Sequence, residues 1–99
     1  MNAHQLRVDC RPSSTGWLCR VTVGDDPAAT EHEVEVTTAT LARFAPGADQ
    51  PTRLVAESFR FMLEREPRQA ILRQFELPLI EHYFPEYPAE ISRRLVEGR

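Results

Sequence analysis

Up to residue 37 the chain alternates apolar and polar residues with period two, and few folds can accept that pattern. Leu6, Val8 and Cys10 alternate with Gln5, Arg7, Asp9 and Arg11. Trp17, Cys19, Val21 and Val23 alternate with Leu18, Arg20 and Thr22, and Val34 and Val36 alternate with Glu33, Glu35 and Thr37. Successive side chains of an extended strand point to opposite faces, so each segment has one dry face and one wet face. The stretch Ser13-Ser14-Thr15-Gly16 has turn composition, and a longer connection runs from Gly24 to Thr30.

Directly opposed residues of an antiparallel pair share a face, so parity predicts register. A four-residue loop with Pro12 opposite Trp17 sets Cys10 against Cys19, Val8 against Val21 and Leu6 against Val23. On the wet face it sets Asp9 against Arg20. The same reasoning sets Val21 against Val34 and Arg20 against Glu35, which leaves Arg20 between two carboxylates. The expected unit is a three-stranded antiparallel meander in the order 1-2-3, because a one-residue slip would expose the whole apolar set.

The period changes after Val36. Thr37 or Thr38 is placed to cap a short helix through Phe44, which Pro46-Gly47 stops. Asp49 or Gln50 is the expected cap of a second helix with Pro51 in its first turn, running to about Glu64. Its apolar stripe is Leu54, Val55, Ser58, Phe59, Met62 and Leu63; Arg53, Glu57, Arg60 and Glu64 form a solvated row opposite. From Ser58 to Ile91 four prolines separate short apolar runs, and four of the five Phe residues and both Tyr fall there. Proline starts helices well and continues them badly. Pro67 is therefore expected to open a helix to Phe75 that buries Ala70, Ile71, Leu72 and Phe75. Pro78 opens a short turn through Tyr83, and a last helix runs from about Pro88 to Val96 with Ile91 and Leu95 on one face.

The whole chain, 1–99, thus reads as a single α+β domain, with a β-meander over 1–37 and a helical part over 38–97 covering one face of the sheet. Hydrophobic residues make up 41% and charged residues 27%, which suits a folded domain and not a disordered one. Net charge is −3, and the first fifty residues carry that deficit. A binder of nucleic-acid backbone shows the opposite sign or a concentrated basic stripe, so the composition reads against that class. All twelve basic residues are Arg, which together with abundant Ala, Pro and Val reads as the codon bias of a GC-rich bacterial genome. No apolar run approaches the ~20 residues of a membrane span. The N-terminus has no basic-then-apolar leader, so a cytoplasmic setting with Cys10 and Cys19 reduced is the expectation.

No catalytic, metal or nucleotide signature stands out, and neither cofactor nor metal is implied. There is no C-x-x-C, and His4, His32 and His82 fall in no zinc-ligand spacing. Ser13, Ser14 and Ser58 lie in no nucleophile motif, and the four glycines are scattered singly. Two surface candidates remain. The aromatic-proline run around Tyr83, Phe84 and Tyr87 suits either a partner surface or an anchor for the last helix. Arg60, Arg65, Arg68 and Arg73 could make an anion patch around the Pro67 turn, weakened by the interleaved Glu64, Glu66 and Glu76.

The segment S-F-R-F-M-L-E-R-E-P-R-Q-A-I-L, followed by F-E-L-P-L-I and Y-F-P-E-Y, resembles the C-terminal part of a group of small uncharacterised bacterial proteins. The likeness carries no activity to these residues. The front end is also similar in architecture to HicB-like antitoxins, a meander followed by helix, which would imply a nucleic-acid-associated regulator. The leading expectation is a small non-enzymatic protein-interaction module, self-association included, because a three-stranded sheet leaves edges that accept another strand. The alternatives are the antitoxin-like regulator and a ligand binder or enzyme with a pocket between sheet and helices.

Overall fold

A computed structural model describes residues 5–97. The expected parity holds along the three strands. Strands β1 (Leu6–Pro12), β2 (Gly16–Val23) and β3 (Thr30–Thr37) form an antiparallel meander. Pro12 faces Trp17, Cys10 faces Cys19, Val8 faces Val21 and Leu6 faces Val23. Gly16 opens β2 hard against the β3 backbone: a Cβ built there would lie 2.7 Å from Thr37 Cα, so only glycine fits.

The β2–β3 register differs by two residues from the expected one. Cys19 faces Val34, Val21 faces His32, Arg20 faces Glu33 and Val23 faces Thr30. The reason is that the dry face of β3 begins with two polar residues. Thr30 and His32 are both buried, and their side chains are hydrogen-bonded at 2.8 Å, so the strand starts earlier than the apolar pattern shows. Parity survives, and Arg20 still stands between two carboxylates, now Asp9 and Glu33.

Cys10 and Cys19 are joined in a disulfide, not reduced as a cytoplasmic chain would have them. The ladder explains the meeting. Gly24 donates to the Gln5 carbonyl at 2.7 Å and Ser13 to the Gly16 carbonyl at 2.9 Å, so odd residues of β1 make the hydrogen-bonded pairs with β2. Cys10 and Cys19 are then a non-hydrogen-bonded pair, where opposed side chains come closest.

The sheet has a fourth strand. The helix expected from Pro67 to Phe75 is absent. One 3-10 turn, Arg68–Ala70, is followed by β4 (Gln74–Glu76), which pairs parallel to β3 with Phe75 against Val34. Ile71, Phe75 and Leu77 are buried while Gln74 and Glu76 are exposed. This is again period two, and it overrides the start signal of Pro67. Ala70 and Leu72, expected inside, are exposed.

Helix α1 (Thr38–Phe44) is capped by Thr37, whose Oγ1 accepts from Thr40 N at 3.1 Å. Helix α2 (Thr52–Leu63) begins after Pro51 with no side-chain cap, contrary to the expected Asp49 or Gln50. It buries Leu54, Val55, Ser58, Phe59, Phe61 and Met62, with Leu63 half-buried. Phe61 lies off the predicted stripe, and its flank is covered by Tyr87, Phe84 and the guanidinium of Arg65, 3.7 Å from the ring centroid. Helix α3 (Leu79–Tyr83) follows Pro78, and α4 (Tyr87–Glu97) packs on α1, α2 and α3. The core lies between the dry sheet face and these helices. Phe59 joins the two layers, against His32 at 5.3 Å and Phe75 at 6.2 Å between ring centroids.

Candidate functional site

An apolar opening lies where the sequence expectation failed. The end of α2, the turn after Pro67, β4 and α3 frame a cleft of about 230 Å³. Met62, Ile71, Phe75 and Ile80 form its floor, and these four are buried. Leu72 and Tyr83 stand on its rim, 47% and 61% exposed, and Phe84 is half-buried beside them. Glu66 is the charged residue of the lining.

Three local constraints hold the cleft open. Helix α2 ends at Leu63, and the amides of Arg65 and Glu66 both bond back to the Met62 carbonyl. Arg68 reaches Asp26 at 3.2 Å and the Val23 carbonyl at 3.3 Å, which pins the 3-10 turn to the β2–β3 loop. His32 sets Leu72. Its Nδ1 lies 2.8 Å from the Leu72 carbonyl, an atom that can only accept, so Nδ1 carries the proton. Nε2 is then the acceptor for the Thr30 hydroxyl at 2.8 Å. The Leu72 backbone is clamped inward and its side chain is left outside. Burial pushes the His32 pKa below its ordinary value; the bond to Leu72 opposes this, and the charge of Arg73 adds to it.

The aromatic run divides. Tyr83 is a surface residue and Phe84 a partial one, but Tyr87 is fully buried, so its place in a partner surface is corrected. Its ring packs on Phe44 and Phe61 at 5.2 and 5.3 Å between centroids. Its hydroxyl lies 2.6 Å from Ser58 Oγ, which donates to the Leu54 carbonyl at 2.7 Å. Burial drives the Tyr87 phenol far above its usual range, against the opposing effect of the Ser58 bond. Tyr87 is the anchor of α4, and it sits at the first helical position because a buried ring there fixes the chain's entry.

The four arginines do not form an anion cradle. Arg60 pairs with Glu57 at 2.9 Å, Arg65 with Glu86 at 3.1 Å, and Arg68 with Asp26. Each of these three turns to its own carboxylate, which cancels the field a phosphate would need. Arg73 is exposed. Glu86 is held below the carboxylate range by a backbone hydrogen bond and then by Arg65. His82 is exposed against Tyr83, Glu81 pairs with Arg43 at 2.8 Å, and His4 lies outside the described residues.

Among the described residues no group of three His, Cys, Asp or Glu side chains is placed to hold a metal ion, and no helix is long and apolar enough to cross a membrane. Sequence reasoning found Tyr83 and Phe84 but placed Leu72 in the core. The signal it passed over is the odd-numbered alternation of Phe75 and Leu77 between two prolines. No protein-family model, curated protein or solved structure matches the chain.

Proposed function

We propose that the protein is a small interaction module that receives an apolar side chain of a partner protein in the Leu72–Tyr83 cleft. The observation that carries this reading is the rim: two large side chains stand in water over an apolar floor. A concave apolar patch with large hydrophobic side chains exposed beside it is the form of a protein-docking site, and an aromatic residue among them suits a hot spot. Glu66 in the lining favours an anchor with a basic neighbour. The side chains of the lining offer only the Glu66 carboxylate and the Tyr83 hydroxyl as polar groups, fewer than the convergent set a small-molecule site carries.

The test is capture from the native host with the wild-type chain, Leu72→Asp and Tyr83→Ala, against Arg60→Ala as a control away from the cleft. A charge at position 72 forfeits ~2 kcal/mol of apolar burial, about thirtyfold in affinity. Proteins held by wild type and by Arg60→Ala, and released by both cleft variants, support the reading. A retained set that ignores both cleft substitutions refutes it.

A further inference from the structure

The outer edge of β1 carries a self-complementary code. The sheet order β1-β2-β3-β4 leaves β1 at the margin. Odd residues of β1 turn their amides and carbonyls toward β2, as the Gly24–Gln5 and Ser13–Gly16 bonds fix, so Leu6, Val8 and Cys10 turn theirs outward. Among the described residues no backbone group bonds to these outward positions. The side chains of the same three residues lie on the dry face and are only half-buried, unlike Cys19, Val21 and Val23 beside them.

We propose that a second copy of this chain covers this edge, β1 against β1, antiparallel, about a two-fold axis at Val8. Outward backbone groups sit on even residues, so even must pair with even, which also keeps both dry faces on one side. Four registers then compete. With Val8 on Val8, Leu6 meets Cys10 of the second copy and six backbone hydrogen bonds form. On the wet face Arg7 meets Asp9 of the second copy, twice by symmetry, and Arg11 meets Gln5. With Asp9 on Asp9, like charges oppose at the centre and Arg7 meets Arg11. With Arg7 on Arg7, two guanidinium groups oppose. With Cys10 on Cys10, Asp9 meets Arg11, but Val8 meets Pro12, which has no N–H to give. One register alone satisfies both the ladder and the charges. Like charges directly opposite destabilise a strand pair, so the pattern selects against the neighbours as well as for the match.

The seam is short, and short seams associate transiently. It shares no lining residue with the cleft and does not depend on that reading.

Sedimentation equilibrium from about 1 μM to 1 mM tests it, with far-UV circular dichroism to show that each variant is folded. Wild type shifts from one to two chain masses across that range. Arg7→Asp and Asp9→Arg each place like charges in the seam and weaken self-association about tenfold or more. Mixed in equal amounts they restore it, because Asp at position 7 of one copy then meets Arg at position 9 of the other. The double variant Arg7→Asp/Asp9→Arg also restores it. Val8→Pro removes an outward N–H and leaves the β1–β2 ladder intact; it abolishes the dimer and decides the matter should a charge variant fail to fold. A wild-type chain that stays monomeric at 1 mM overturns the proposal. So do folded single variants that self-associate like wild type, or a mixture of them that does not recover. Leu72→Asp keeps the dimer, which separates failure here from failure of the cleft.

Discussion

Removing the Ser58 hydroxyl should cost more than removing the Tyr87 hydroxyl, and removing both should cost less than the sum. Ser58 donates its one proton to the Leu54 carbonyl at 2.7 Å. The 2.6 Å contact between Ser58 Oγ and Tyr87 Oη therefore has tyrosine as donor. Both residues are fully buried. Tyr87→Phe deletes a donor and leaves Ser58 still bonded to Leu54, so the loss is that of one ordinary hydrogen bond, ~1 kcal/mol. Ser58→Ala leaves the phenol O–H in the core with no acceptor, at a desolvation cost of ~2 kcal/mol beyond the lost bond to Leu54. The double variant removes the stranded group together with its acceptor and should cost ~1–1.5 kcal/mol. The cycle then falls short of additivity by at least ~1 kcal/mol. Urea unfolding followed by Trp17 fluorescence and by circular dichroism reads all four proteins on one transition. Additive losses, or a Ser58→Ala variant as stable as wild type, would refute the donor assignment.

Two further outcomes follow from the buried groups on the sheet. His32 is held neutral, its pKa below the ordinary value of 6.5, so the unfolded chain takes up the proton first. Stability should be flat above about pH 6.5 and fall as pH drops from there toward the lowered folded value; His32→Gln should flatten that limb, and an unchanged limb in urea melts from pH 7 to 5 would contradict the assignment. Protein purified without reductant and unfolded in guanidinium should show no reactive thiol, because Cys10 and Cys19 are bonded to each other. Cys10→Ser/Cys19→Ser should lower stability by up to ~2.5 kcal/mol, the value for a loop of this length; two titratable thiols would instead restore the reduced pair expected from the sequence.

Where an element's two faces differ strongly, its place was legible. The β1–β2 register follows from parity because a slip there would turn every valine to water. Thr37 as a helix cap follows from its chemistry. The inward parity of His32 with Val34 and Val36 was legible, but the β2–β3 register was not, since registers two residues apart keep the same faces and parity cannot choose between them. The Leu72 carbonyl, forty residues away, satisfies the Nδ1–H of the buried His32. Such a partner is invisible to local reading, yet it decides where the strand begins.

The same tertiary bond explains why Leu72 was placed in the core and not on the rim of the cleft. Read locally, Pro67 followed by Arg-Gln-Ala-Ile-Leu is a helix start, and a helix there would hide Leu72. The neighbouring edge of β3 offers unpaired backbone groups instead. Glu33 N donates to the Arg73 carbonyl at 2.7 Å, and Leu77 N donates to the Glu35 carbonyl at 3.0 Å. A strand that pairs with this edge can bury only alternate side chains, so burying Phe75 and Leu77 turns Gln74 and Glu76 away from the core. With its carbonyl tied to His32, Leu72 is left outside on the approach to β4. The cleft is thus the consequence of covering a sheet edge with three residues in place of a helix. What reads in the sequence as a packing segment becomes, through one parallel pairing, the wall and rim of an apolar cleft.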